Sequence, residues 1–134
     1  MAQYVFEYMV KERGLEDEFE IDSAATSREE IGNGVHHGTR RKLAEEGIPC
    51  GDYRARQVTK ADYEHFDYLI IMDENNRRNL MRIIGSNPEH KVYKLLDFSE
   101  NPRDIADPWY TGNFDVTYDD IDEGCRAFLE HLRR

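Results

Sequence analysis

The sequence predicts an α/β fold, a three-layer sandwich in which helices cover a short parallel sheet. Three observations predict it. Tyr68-Leu69-Ile70-Ile71-Met72 is a continuous apolar run, the pattern of a strand buried on both faces. Val92-Tyr93-Lys94-Leu95-Leu96 is a second strand-like run. Stretches with helical apolar spacing separate the strands, and strands alternating with helices favour parallel pairing. A chain of 134 residues suits one domain, 1–134.

The elements follow in order. Ala2, Val5, Phe6, Met9 and Val10 share one helical face, and Gly14 suits the stop beyond it. No capping residue precedes Ala2, so the sequence reads as opening inside a helix. Phe19-Glu20-Ile21-Asp22 alternates and predicts a strand, ending in the small polar loop Ser23 to Ser27. Arg40 to Glu46 predicts a helix closed by Gly47 and Pro49. Thr59-Lys60-Ala61-Asp62 resembles a capping box. Asp73 can cap a helix running to Gly85. Ile121, Cys125, Phe128, Leu129 and Leu132 stripe a C-terminal helix.

Composition narrows the function. The net charge is −10 with 34% charged residues, and no basic stripe exists to meet phosphates. Nucleic acid and anionic membrane surfaces are therefore not expected partners. No apolar run approaches the roughly 20 residues that span a bilayer, and Met1 leads straight into an amphipathic pattern rather than a signal peptide. Two cysteines, Cys50 and Cys125, make no disulfide framework. The expectation is a soluble, cytoplasmic protein with free thiols and no cofactor. Adjacent His36 and His37 lack the i, i+4 geometry of a helical metal pair, so no metal site is expected.

The stretch Asp107-Pro108-Trp109-Tyr110 carries the chemistry. Pro108 keeps Asp107 out of the right-handed helical region, so the carboxyl can project from an extended loop. Two aromatic side chains beside an acid suit protonation of an aromatic leaving group. The competing reading is an Asp-Pro turn with its aromatics folded into the core. Position favours the first, because ligands of parallel sheets bind beyond the carboxyl ends of the strands. Ser23 and Asp73 sit at such ends, and the loop Ser99 to Ala106 leads Asp107 there.

Several stretches in series resemble the low-molecular-weight protein tyrosine phosphatase family. They are Asp22-Ser23-Ala24, Arg54-Ala55-Arg56-Gln57-Val58-Thr59, Phe66-Asp67-Tyr68, Met72-Asp73-Glu74-Asn75-Asn76 and Asp107-Pro108-Trp109-Tyr110. The resemblance spans essentially the whole chain. It implies a flavodoxin-like strand order and a phosphomonoester hydrolysis through a cysteinyl-phosphate. It makes Asp107 the general acid, Trp109 and Tyr110 the wall of the substrate cleft, and Ser23 a brace for the phosphate loop. Substrates would be a phosphotyrosine protein or a small aryl phosphate. In such a site a carboxyl facing the phosphate has its pKa raised, and a cysteine there has its pKa lowered.

The resemblance also exposes a departure. The family begins with an apolar strand and Cys-x5-Arg-Ser-Pro-Met-Ala, and Met1-Ala2 matches only the end of that string. The expectation is a domain incomplete at its N-terminus, without nucleophile or phosphate loop, and inactive as it stands. Tyr53 departs where histidine is common, and Glu29 aligns near a second aromatic wall. Cys50 to Arg56 fits Cys-x5-Arg literally, but Asp52, Tyr53 and Arg54 are a poor phosphate cradle. Cys125 reads as core.

The family's order places the missing strand between Phe19–Asp22 and Tyr68–Met72. Either those strands close up and pair, or a second molecule fills the gap; the sequence favours a homo-oligomer through the exposed sheet gap. The alternative functions are a non-catalytic binding module and a same-fold arsenate reductase or phosphoarginine phosphatase. The aromatic pair favours a phenolic substrate over the last two.

Overall fold

In the computed structural model, residues 1–26, 36–51 and 55–133 are described, the side chains of Trp109 and Tyr110 aside. Helix α1 spans Ala2–Glu12, with Met1 at its cap position making no side-chain cap bond. Gly14 takes φ +67° just beyond it, a conformation open to glycine. Helix α2 is His37–Glu45 and α3 is Lys60–His65. Strand β1 is Leu69–Ile71, α4 is Glu74–Ile84 and β2 is Val92–Lys94. A 3₁₀ turn, Leu95–Phe98, follows β2. The short α5, Pro108–Thr111, and the long α6, Phe114–Leu132, complete the chain.

The predicted caps form. Thr59 and Asp62 exchange bonds reciprocally at the start of α3, with Thr59 N–H donating to Asp62 Oδ2 at 2.8 Å. Asp73 accepts from Asn76 N–H at 2.8 Å and starts α4. Each bond satisfies a backbone donor that the first helical turn would otherwise leave unpaired.

β1 and β2 pair in parallel, with Leu69 opposite Val92 and Ile71 opposite Lys94. Strand periodicity sorts the side chains of β1 between two layers. Ile70 and Met72 pack with Val5, Phe6, Leu96 and Leu129, beneath α1 and α6. Leu69 and Ile71 join Val58, Tyr63, Leu80 and Ile84, on the side of α3 and α4. The 3₁₀ turn nests on α6 because position 124 is glycine: a Cβ there would lie 2.5 Å from Leu95 Cγ.

Three expectations need correction. Phe19–Asp22 forms no strand among the described residues; the backbone leaves Phe19 extended, and Phe19 and Ile21 are half-buried while Glu20 and Asp22 are exposed. Alternation sets which side is buried, but a strand also needs a ladder. The nearest pairing is the isolated parallel bridge Ala25 to Gln57. Phe19–Asp22 and β1 therefore do not close up on each other. The second strand stops at Lys94 rather than Leu96, because Asp97 accepts the Lys94 N–H at 2.9 Å and turns the chain into 3₁₀. Helix α2 starts at His37, three residues before the predicted Arg40, since His36 Nδ1 accepts Gly38 N–H at 3.1 Å and caps it. The loop ends at Asp107, outside the helix, and Pro108 opens the helical turn, as proline at a first helical position does.

Candidate active site

The acid loop is built from its two ends inward. Ile105 is buried at 2% exposure, and its N–H donates to Met72 O at 2.9 Å, just past the carboxyl end of β1. The next carbonyl, Ala106 O, accepts from Thr117 Oγ1 at 2.9 Å, which fixes the loop to the first turns of α6. Asp107 follows and is exposed. Its carbonyl accepts Thr111 N–H at 3.3 Å, beginning α5. The fold thus sets an acid at the carboxyl end of the sheet, with the backbone on both sides of it held.

Charged side chains fasten the rest of the loop. Lys94 Nζ bridges Asp104 Oδ1 at 2.9 Å and Glu74 Oε1 at 2.9 Å, joining the loop to the start of α4. Hydrogen bonds from Lys94 hold both carboxyls below their ordinary range. Arg103 reaches α6, where its hydrogen bonds hold the Glu123 carboxyl low.

Ser23 is seated against the first turn of α1. Its hydroxyl donates to Gln3 Oε1 in the first turn of α1, and its N–H donates to Asp22 Oδ1 at 2.8 Å. The second oxygen of Asp22 accepts from Arg56 Nη2 at 3.0 Å. Arg56 in turn grips Asp62 with bonds of 2.9 and 3.1 Å. This ties the Ser23 segment to the capping box of α3. Ser23 is thus placed by α1, and Asp107 by β1 and α6. Trp109 and Tyr110 occupy the backbone of α5, two and three residues past Asp107; their side chains lie outside the described residues.

The literal Cys-x5-Arg string, Cys50 to Arg56, has both of its described ends bonded to other parts of the fold. Its arginine, Arg56, is committed to Asp62 and Asp22, which raise its pKa further. Cys50 Sγ accepts from Arg40 Nη1 at 3.7 Å and is only half-buried. Asp52, Tyr53 and Arg54 lie outside the described residues, as does Glu29. Cys125 is 1% exposed, and burial pushes its thiol up to about 12. A thiol so disfavoured as an anion is no nucleophile at neutral pH.

His36 and His37 stack on each other at 4.9 Å between centroids, and His36 also stacks on Phe114 at 5.7 Å. They finish the corner between α2 and α6. Among the described residues no three His, Cys, Asp or Glu side chains are grouped to hold a metal ion. Nor is any helix of the described residues long and apolar enough to cross a membrane. Sequence reasoning missed Gln3, Arg103, Ile105 and Thr117 as site-building residues. Their partners on other elements lie 11 to 33 positions away, a separation that no local pattern reports.

Comparison with known proteins gives the family. The sequence profile "Low molecular weight phosphotyrosine protein phosphatase" matches residues 1–134. The low molecular weight protein-tyrosine-phosphatase YfkJ of Bacillus subtilis is 36% identical over 136 residues, covering 100% of this chain and 87% of the relative. The human low molecular weight phosphotyrosine protein phosphatase is 36% identical over 135 residues, covering 97% and 85%. The crystal structure of YfkJ superimposes with a TM-score of 0.94 over 98% of this chain and 84% of that one. SP-PTP from Streptococcus pyogenes gives 0.86 at 32% identity, covering 98% and 82%. The chain belongs to the low molecular weight phosphotyrosine protein phosphatase family.

Proposed function

We propose that this chain carries the acid half of a phosphotyrosine phosphatase site, with Asp107 as general acid and then general base. The observation that carries the reading is the seating of Asp107. Its neighbours Ile105 and Ala106 are hydrogen-bonded to Met72 and Thr117, while Asp107 itself stays exposed at the carboxyl end of the sheet. Trp109 and Tyr110 follow at once and supply aromatic surface for a phenolic ring. Ser23, beside the first turn of α1, would brace a phosphate loop there.

The chemistry runs in two balanced steps. A thiolate attacks phosphorus as the bond to the aryl oxygen breaks, and Asp107 gives that oxygen its proton. Water then attacks the cysteinyl-phosphate, Asp107 takes the proton, and the sulfur–phosphorus bond breaks to return thiolate and free phosphate. The substrate class is a phosphotyrosine protein or a small aryl phosphate. The aromatic pair supports a phenolic leaving group over arsenate or phosphoarginine.

Neither Cys50 nor Cys125 suits the thiolate role, and the described arginines near Cys50 are engaged. We therefore expect these 134 residues alone not to hydrolyse aryl phosphates. Purified protein assayed between pH 5 and 7 should show no turnover above a Cys50→Ser control. Turnover that depends on Cys50 would contradict this. Joining a strand and a Cys-x5-Arg-Ser-Pro segment ahead of Met1 should generate activity that needs Asp107. The homo-oligomer expected from an open sheet edge is tested by light scattering at micromolar concentration; a cooperatively unfolding monomer would reject it.

A further inference from the structure

Asp107 can act only if its loop is held in one place, and Arg103, four residues earlier, gathers three separate groups to hold it. Nη1 donates to Asn101 O at 2.8 Å and to Glu123 Oε2 at 3.0 Å. Nη2 donates to Glu123 Oε1 at 3.0 Å and to Asp120 Oδ1 at 2.7 Å. Asn101 belongs to the loop itself. Asp120 and Glu123 lie three positions apart on α6 and so share a face. The paired bonds to Glu123 match a planar guanidinium to a planar carboxylate, which sets orientation as well as distance.

We propose that Arg103 is a positioning residue for Asp107, clamping the acid loop onto α6 so that the carboxyl meets the leaving oxygen. The proposal rests on Asp107 being the general acid. Exposure separates this role from simple stabilisation. The side chains of Arg103 and Glu123 are 34% and 44% exposed. Such ion pairs add little to folding stability. Their bidentate geometry nevertheless fixes a backbone that Ile105 and Ala106 then pass to Asp107. Lys94 acts on the opposite flank, through Asp104.

Trp109 is the single tryptophan, two residues beyond Asp107, so its fluorescence reports the acid loop. In the 134-residue chain, Arg103→Met should alter Trp109 emission and acrylamide quenching while circular dichroism and melting stay near those of the parent. Arg103→Lys should recover only part of the signal, because an ammonium cannot form the paired bonds. Glu123→Gln should shift the signal in the same direction, and adding it to Arg103→Met should shift it little further. In the protein extended ahead of Met1, Arg103→Met should lower kcat on phenyl phosphate about ten- to hundredfold, the usual effect of misplacing a reacting group. KM should hold, and a dinitrophenyl phosphate, whose leaving group needs no proton, should be spared. Unchanged Trp109 signals, or equal losses on both substrates, would overturn the proposal. If Asp107→Asn shows no leaving-group dependence, the acid assignment falls instead, and the Trp109 signals still decide whether Arg103 holds the loop.

Discussion

The acid loop, Ser99 to Asp107, and the segment from Cys50 to Arg56 offer two sets of reactive side chains on one small fold. In the acid loop the bonds tie Arg103, Asp104, Ile105 and Ala106 to α6, β2 or the end of β1. In the other segment they fall on the reactive residue itself, since Arg56 is gripped by Asp62 and Asp22. A motif supplies residue types, whereas the fold decides what their functional atoms bond to. Cys-x5-Arg is the better literal motif of the two, yet its arginine is already committed to two carboxylates.

Mutations that loosen each region sharpen the contrast. The largest effect is expected from Ile105→Ala. Its side chain is 2% exposed, and truncation should cost about 2–5 kcal/mol in denaturant unfolding, as buried aliphatic truncations do. A loss below about 1 kcal/mol, the size of one ordinary hydrogen bond, would mean that the loop is not anchored through the core. Thr117→Val keeps the shape and removes the hydroxyl bond to Ala106 O. It should cost about 1 kcal/mol and shift backbone amide resonances at Asp107 and Thr111.

The Arg56 cluster makes a pH prediction. Hydrogen bonding from Arg56 holds the Asp62 carboxyl below its ordinary value. A carboxyl with a depressed folded pKa adds stability above the unfolded value, near pH 4, and loses it as pH falls through the folded value. Arg56→Met should therefore be less stable than the parent at neutral pH, and the gap should shrink as urea unfolding is repeated at lower pH. A gap constant with pH would contradict the assigned cause. Cys50→Ser should have the smallest effect, within about 0.5 kcal/mol, because the residue is only half-buried and outside the catalytic proposal.

Much of the fold was legible because local chemistry wrote it. The capping pairs at Thr59 and Asp73, the stripe of α6 and the buried run around Ile70 each depend on neighbours within a turn or on period. The end of the loop at Asp107 was legible because Pro108 constrains it from the next position. Phe19–Asp22 misled, because alternation predicts burial and pairing together, and only the burial appears in the described residues. The 3₁₀ turn at Leu95 was hidden inside an apolar run; a single acceptor, Asp97, decided it. The clamp from Arg103 to Asp120 and Glu123 spans 17 and 20 positions, and its three residues read as ordinary surface charges until the chain is folded.

The account turns on Asp107 giving its proton to the leaving oxygen, and leaving-group dependence tests that most directly. In the protein extended ahead of Met1, Asp107→Asn should lower turnover of phenyl phosphate by roughly two to four powers of ten, the usual worth of general acid catalysis. With a dinitrophenyl phosphate, whose phenolate departs without a proton, the loss should be much smaller. Equal losses on the two substrates would contradict the acid role and leave Asp107 as part of an Asp-Pro turn.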